Sequence, residues 1–217
     1  SIDRLMYRQL NRRGLLAGMG AFTSLMLAGQ HSVLAQTRFS SYPFTLGVAS
    51  GDPLPDGVVL WTRLAPDPLN GGGMPPDNVT VTCTIATDEA LRNVVRREST
   101  VARAAMGHSV HLEVFGLEPN RVYWYRFEAG GEESPVGRTR TAPALGTPLN
   151  QFRFAFASCQ EYQNGFYTAY QNMAREDLDL VIHLGDYIYE GGISSDVVRQ
   201  HNSDDIITLE EYRNRYA

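Results

Sequence analysis

Between residues 44 and 141, short segments of alternating apolar and polar residues recur, and this period of two constrains the fold more than any other feature. The clearest segments are 58–64, 79–86, 109–114 and 121–128, with turn-forming residues between them. Such alternation predicts strands with one buried face, and the turn residues predict their connections. Several short strands in about 100 residues are typical of a two-sheet β-sandwich.

The last of these segments follows a turn at 116–120, Gly-Leu-Glu-Pro-Asn, and contains Tyr123 and Tyr125. This pattern resembles the corner of fibronectin type III domains, where a leucine and a proline set the turn. A tyrosine hydroxyl then bonds back to the chain. The resemblance implies an all-β, fibronectin III/Ig-like sandwich over residues 42–142, with Tyr123 or Tyr125 in the corner position.

The first 35 residues have the three parts of an export signal. Arg12 and Arg13 precede a moderately apolar run at 14–29, and a Val-Leu-Ala sequence ends at Ala35. The arginine pair predicts the twin-arginine (Tat) export machinery as a partner, with cleavage after Ala35. An amphipathic helix or a membrane anchor is the alternative, but the run falls short of the ~20 apolar residues that span a bilayer. We therefore expect an exported, periplasmic or extracellular protein without stable membrane insertion after cleavage.

The charge balance narrows the class of partner. The chain has 19 basic and 24 acidic residues, a formal net charge of −5, and no lysine or arginine run. An acidic chain repels the phosphate backbone of a nucleic acid, so we expect no nucleic-acid-binding surface. The chain opens with Ser1 and stops at Ala217 just after a charged, helix-like stretch, so we also expect a fragment.

A linker rich in proline, alanine and glycine at 143–150 separates the predicted sandwich from a region of different character. An apolar run at 152–157 is followed by a helical pattern at 165–176, with Phe166 on its apolar face, and by a second apolar run at 178–184. This order predicts a strand–helix–strand unit with two parallel strands.

Three candidate ligands lie just after these two strands. Cys159 follows the first strand, Asp186 follows the second, and Tyr189 comes three residues later. Because the carboxyl ends of parallel strands meet at one sheet edge, we expect the three side chains to converge. A thiolate and a phenolate suit a trivalent ion such as iron, and a carboxylate can bridge to a second cation. A buried thiol, a turn-capping aspartate and a core tyrosine are the alternative. Cys83 falls in the other predicted domain, so we expect each cysteine to be a free thiol or a ligand rather than half of a disulfide.

The sequences Ser-Cys-Gln at 158–160 and Leu-Gly-Asp-Tyr-Ile-Tyr-Glu at 184–190 resemble the PhoD family of alkaline phosphatases/phosphodiesterases. Members of that family have the same order: a twin-arginine signal, a small β-sandwich and a calcineurin-like metallophosphoesterase domain. The resemblance runs through essentially the whole chain. It implies that residues 151–217 are the first part of that α/β domain, truncated at Ala217.

By the same resemblance, Cys159 and Tyr189 would bind ferric iron, and Asp186 would bridge iron and calcium. The remaining ligands of the family would lie after Ala217. We therefore expect this fragment alone to be inactive.

The implied function is a secreted, metal-dependent phosphoesterase that hydrolyses phosphate esters for phosphate scavenging, by attack of a metal-activated hydroxide. A purple-acid-phosphatase-like enzyme is one alternative, but it would normally have an aspartate at the position of Cys159. A non-catalytic extracellular fibronectin-like binding module is the other, with Trp61, Trp124 and Tyr125 as an exposed aromatic patch. The strand context of these aromatic residues favours core packing. Metal dependence would distinguish the enzyme from the module.

Overall fold

A computed structural model describes residues 37–217, and this part of the chain is mostly β-sheet with few helices. The predicted signal segment lies outside the described residues. The strands are β1 Val48–Leu54, β2 Gly57–Arg63, β3 Val79–Ala86, β4 Val94–Ala102, β5 Ser109–Phe115, β6 Val122–Ala129, β7 Glu132–Glu133, β8 Gly137–Arg140, β9 Phe154–Ala157 and β10 Leu180–His183. The α-helices are α1 Thr168–Met173 and α2 Leu209–Tyr216, and short 3₁₀ turns lie at Ala104–Met106 and Tyr162–Asn164.

The first eight strands form two antiparallel sheets. In one sheet β2 lies between β1 and β5. In the other, β3 lies between β4 and β6, and β6 also pairs with the short strands β7 and β8. The alternation read from the sequence thus corresponds to strands that each turn one face inward.

Inward-facing apolar side chains from both sheets build one shared core. Leu60 of β2 and Phe127 of β6 are both 0% exposed, and the alternate residues of β3 are buried with them. The buried members of this core are Phe44, Val58, Leu60, Leu64, Val79, Val81, Cys83, Ile85, Ala102, Val110, Leu112, Val114, Leu117, Tyr123, Tyr125, Phe127 and Ala129. Burial of this apolar surface is the main favourable term that holds the two sheets together.

The two tyrosines of β6 have different surroundings. The Tyr123 hydroxyl accepts a hydrogen bond from the backbone N–H of Glu118 at 2.9 Å, so Tyr123 fills the predicted corner position. The Tyr125 ring packs edge-on against Phe127, with ring centroids 6.0 Å apart. Because Tyr125 is buried, it is not part of an exposed aromatic patch.

Replacing Tyr123 with phenylalanine should lower the free energy of unfolding by about 1–3 kcal/mol, because the Glu118 N–H loses its acceptor while the ring stays in the core. The measurement is chemical denaturation of the two proteins. Tyr42→Phe is the matched control, since the exposed Tyr42 hydroxyl bonds only to the Glu133 carbonyl at 3.0 Å. Equal effects of the two substitutions would contradict a structural role for the corner.

The predicted strand–helix–strand unit is present, with parallel pairing. Strand β9 pairs with β10 from Phe154–Leu180 to Ala157–His183. The helix between them, α1, is shorter than the predicted 165–176. Tyr167 immediately before it has a left-handed backbone with φ of 58°, which interrupts the helical path. Phe166 therefore lies outside the helix and is 66% exposed, so its predicted place on the apolar helix face is wrong.

An ion pair at the start of β10 ties the segment that carries β9 and β10 to the sandwich, because Asp179 pairs with Arg140 of β8. Within the segment, Asp179 also accepts a hydrogen bond from the Arg153 N–H at 2.9 Å. The division into domains at 143–150 remains a prediction. Within residues 37–217, no helix has the length and apolar character needed to cross a bilayer.

Candidate metal centre

The structure brings the three predicted donors together around one carboxylate oxygen. Asp186 Oδ2 lies 3.5 Å from Cys159 Sγ and 3.2 Å from the Tyr189 hydroxyl oxygen. Cys159 follows β9 and Asp186 follows β10, so parallel pairing of the two strands places both residues at the same sheet edge. The convergence expected from the topology is therefore observed.

Backbone hydrogen bonds hold the two strand ends in register beyond the strands themselves. The N–H of Cys159 donates to the Gly185 carbonyl at 3.1 Å, and the N–H of Gln160 donates to the Asp186 carbonyl at 3.2 Å. Cys159 and Asp186 have left-handed backbones with φ of 54° and 53°, and Gly185 has φ of 122°. These turns direct the chain sharply away from the sheet just where the donors lie.

The local electrostatics keep the phenol protonated when no cation is present. Desolvation, with hydrogen bonding to Cys159 and Asp186, raises the pKa of Tyr189 to about 12. Two weak acids thus share one carboxylate, and a bound cation would favour loss of their protons by offsetting the negative charge. A thiol, a carboxylate and a phenol at these distances therefore fit a metal ion such as ferric iron as a donor set.

Counted by the side chains that most often bind metal ions in proteins, the cluster is an incomplete metal site. Within the described residues, no three histidine, cysteine, aspartate or glutamate side chains gather closely enough to hold a metal ion. The cluster has only two such side chains, Cys159 and Asp186, and its third donor is the phenol of Tyr189. Asp204 and Asp205 do not form a second metal-binding group within the described residues. The Asp205 carboxylate instead accepts a hydrogen bond from the Gly192 N–H at 2.7 Å.

The two cysteines are both free, as expected. Cys83 lies in the sandwich core, where burial raises the pKa of its thiol to about 12, so it stays protonated and packs as an apolar residue. Cys159 is exposed at the sheet edge beside Asp186. Only Cys159 is therefore accessible to a metal ion.

Gln160 and Tyr170, to which the sequence analysis gave no role at the site, support the loop between Asp186 and Tyr189. The Gln160 side-chain amide donates to the Tyr187 carbonyl at 2.8 Å, and its own carbonyl accepts from the Tyr170 hydroxyl at 2.6 Å. Helix α1 thus reaches the cluster through Tyr170 and Gln160. The Ser-Cys-Gln motif contained this signal, since Gln160 directly follows the cysteine.

Arg215 of α2 holds the backbone of the third donor. Its Nη1 donates to the carbonyls of Tyr189 at 2.7 Å and Gly191 at 2.8 Å, and its Nη2 donates to the Asp204 carbonyl at 3.0 Å. Nothing in the local sequence indicates this contact, because Arg215 is one of several charged residues in a short helix. A cavity of about 430 Å³ opens beside Tyr189, and Gln160, Arg199 and Arg215 also line it.

Comparison with known proteins agrees with this architecture. Two family models match, one described as the N-terminal domain of PhoD-like phosphatases at residues 29–143 and one described as PhoD-like phosphatase at residues 154–217. Alkaline phosphatase D of Bacillus subtilis (strain 168) is 57% identical over 219 residues, which covers 95% of this chain and 38% of that protein.

A solved structure titled "Structure of PhoD" is 62% identical, with a TM-score of 0.81, over 83% of this chain and 35% of that one. The chain thus spans less than two-fifths of the length of both relatives. The sequence identity, the two matching models and the shared fold lead to one conclusion: the chain belongs to the PhoD-like phosphatase family.

Proposed function

We propose that this chain is part of a metal-dependent phosphoesterase, active as an alkaline phosphatase and phosphodiesterase on phosphate esters. The observation that carries the proposal is the convergence of Cys159, Asp186 and Tyr189 on one carboxylate oxygen at the ends of two parallel strands. Membership of a phosphatase family supports the reaction class. A thiol, a carboxylate and a phenol around one point are a donor set for a metal ion, and the proposed reaction needs no covalent nucleophile from this chain.

In this proposal Cys159 and Tyr189 would hold ferric iron, and Asp186 would bridge iron and calcium. Such metal ions, when bound, supply a nucleophile at neutral pH and neutralise charge on the phosphate oxygens. The residues of this chain fix the geometry. The hydrogen bonds from the Cys159 and Gln160 N–H groups join the two strand ends, and Arg215 anchors the backbone at Tyr189.

We also propose a fold type for each of the two observed arrangements, the two-sheet sandwich and the parallel strand pair. The sandwich is of the fibronectin type, supported by the Tyr123 hydroxyl that accepts from the Glu118 N–H. The parallel β9–β10 pair begins a calcineurin-like metallophosphoesterase domain, supported by the donors at both strand ends.

We further propose export through the twin-arginine machinery and work in the periplasm or outside the cell. The support is the Arg12–Arg13 pair with its apolar run. In that setting the enzyme would release phosphate from esters that cells cannot import, which is phosphate scavenging.

The test is the visible absorption spectrum of the purified full-length protein and of its Tyr189→Phe variant. We expect a charge-transfer band from the tyrosine–iron pair in the parent protein, and its loss in the variant, because phenylalanine has no oxygen to bind iron. Tyr212→Phe is the matched control, since its hydroxyl contacts Glu190 at 3.0 Å instead of the cluster. The control should keep the band.

A colourless protein without bound iron, unchanged by Tyr189→Phe, would contradict the proposed iron site. Metal content measured by elemental analysis gives an independent readout. Substoichiometric iron in the parent protein would contradict the proposal even if a weak band were present.

A further inference from the structure

Arg63 is a buried cation at the end of β2, on the side of the sandwich that faces helix α2. Only 4% of its surface is exposed. Its Nε donates to the Gly107 carbonyl at 3.0 Å and its Nη1 donates to the Arg213 carbonyl at 3.1 Å. Carbonyl dipoles stabilise a guanidinium only in part, and a buried charge without a counterion is costly.

A second guanidinium, that of Arg213, lies beside Arg63. Its Nη2 donates to the Ala105 carbonyl at 2.8 Å. Burial first, and the positive charge of Arg213 second, lower the pKa of Arg63. Within residues 37–217, neither arginine forms an ion pair with a carboxylate. Burial and neighbouring Tyr187 raise the pKa of Tyr216, so that phenol stays neutral and supplies no counterion.

The two arginines line a shallow, open cavity of about 380 Å³. Trp61, Ser109, His111 and Tyr216 also line it, and none of its described lining residues is acidic. The chain as a whole has a net charge of −5, whereas this cavity is lined by two arginines, a histidine and no carboxylate.

We propose that this cavity, bounded by Arg63, Arg213 and His111, binds a phosphate-class oxyanion. A guanidinium has paired donors whose geometry matches phosphate oxygens, and a charge-assisted hydrogen bond is stronger than a neutral one. The bound anion supplies the counterion that the buried Arg63 lacks among the described residues.

The cavity is adjacent to the one beside the candidate metal cluster. Ile188 and Tyr216 line both cavities, and Ile188 directly precedes Tyr189. The bound phosphate group could therefore come from either of two molecules. One is free phosphate, and the other is an ester substrate with two phosphate groups, of which the second would occupy this cavity.

The test is calorimetric titration of the full-length protein with inorganic phosphate, in the parent and in Arg213→Gln. We expect Arg213→Gln to weaken or remove one binding event, with an affinity loss of roughly tenfold or more. Arg97→Gln is the matched control, since Arg97 is an exposed residue of the edge strand β4 and lies outside the cavity. Equal binding by the two variants would overturn the proposal.

Phosphate titration of Asp186→Asn, alone and combined with Arg213→Gln, tests this inference independently of the proposed function. If phosphate binds both at the metal cluster and in the cavity, each single variant loses a different binding event and the double variant loses both. If Asp186→Asn changes nothing while Arg213→Gln removes an event, the oxyanion site stands and the metal proposal fails. If only Asp186→Asn removes an event, the oxyanion site is wrong.

A second variant guards against an unfolded Arg213→Gln protein. His111→Glu places a carboxylate at an exposed position of β5 on the cavity wall, where it pairs with the arginines and repels phosphate. It should lose the same binding event, whereas His111→Gln should lose less affinity. Retention of full phosphate binding by His111→Glu would count against the site.

The Michaelis constants of the parent and Arg213→Gln distinguish the two sources. A larger rise of KM for a two-phosphate ester than for a one-phosphate ester assigns the cavity to the substrate. An equal KM ratio, together with lost phosphate binding, assigns it to free phosphate. Both results support an oxyanion site, and unchanged phosphate binding in the titration refutes it.

Discussion

Replacing Asp186 with asparagine in the full-length protein should reduce hydrolysis of phosphate esters by about a thousandfold or more. The Asp186 carboxylate is the group on which Cys159 and Tyr189 converge, at 3.5 and 3.2 Å. An amide has nearly the same shape but no negative charge, so it holds a bridging cation far less well. Loss of several kcal/mol of metal-derived transition-state stabilisation corresponds to a rate loss of this size.

The measurement is kcat/KM for a chromogenic phosphate ester, with iron and calcium content determined on the same samples. Asp196→Asn is the control, because Asp196 is exposed in the loop that follows the cluster. It should change kcat/KM by less than about twofold, as surface substitutions away from a site usually do. An Asp186→Asn enzyme with parental activity and metal content would show that the cluster is not the catalytic centre.

Truncating Phe127 to alanine should lower the free energy of unfolding by about 3–5 kcal/mol. Its side chain is 0% exposed, belongs to the core between the two sheets and packs edge-on against Tyr125. The substitution removes apolar contacts and leaves a cavity that a two-sheet core fills only in part. Denaturant unfolding of the sandwich, followed by circular dichroism, measures the change.

Phe115→Ala provides the comparison on the same sandwich. Phe115 is 52% exposed at the end of β5, so its truncation should cost less than about 1 kcal/mol. A similar cost for both substitutions would indicate that Phe127 is not packed as the structure has it.

Much of the fold followed from the sequence wherever burial repeats at a fixed period. The segments 79–86 and 109–114 correspond to β3 and β5 within one residue, because one face of each strand is buried in the core. Strand β4 gave no such signal. It is an edge strand in which Arg96 and Arg97 face solvent, so hydrophobic alternation does not mark it.

The end of the predicted helix shows a different limit. Periodicity placed a helix at 165–176, but a left-handed backbone at Tyr167 delays its start to Thr168. One residue with a left-handed backbone is enough to override this weak local pattern, since helix propensity is a small energy per residue.

At the candidate site, the order of the elements was enough to predict that the donors converge, but not which residues hold them in place. Cys159 and Asp186 are neighbours because parallel strands end at the same edge, which is readable from the order of the elements. The hydrogen bonds of Arg215 to Tyr189 join positions 26 residues apart. The contact of Arg63 with Arg213 joins positions 150 residues apart. Neither has a local signature, so only the folded chain reveals them.

At Cys159 and Asp186, the backbone conformation lowers the stability of the fold, while the side chains supply donors to the candidate site. Each left-handed backbone costs of the order of 1–3 kcal/mol for a residue with a β-carbon. Glycine, which already occupies position 185, would relieve that strain but would remove the donor. Variants selected for heat resistance alone should therefore accumulate glycine at these strand ends, whereas selection for activity should retain the strained residues.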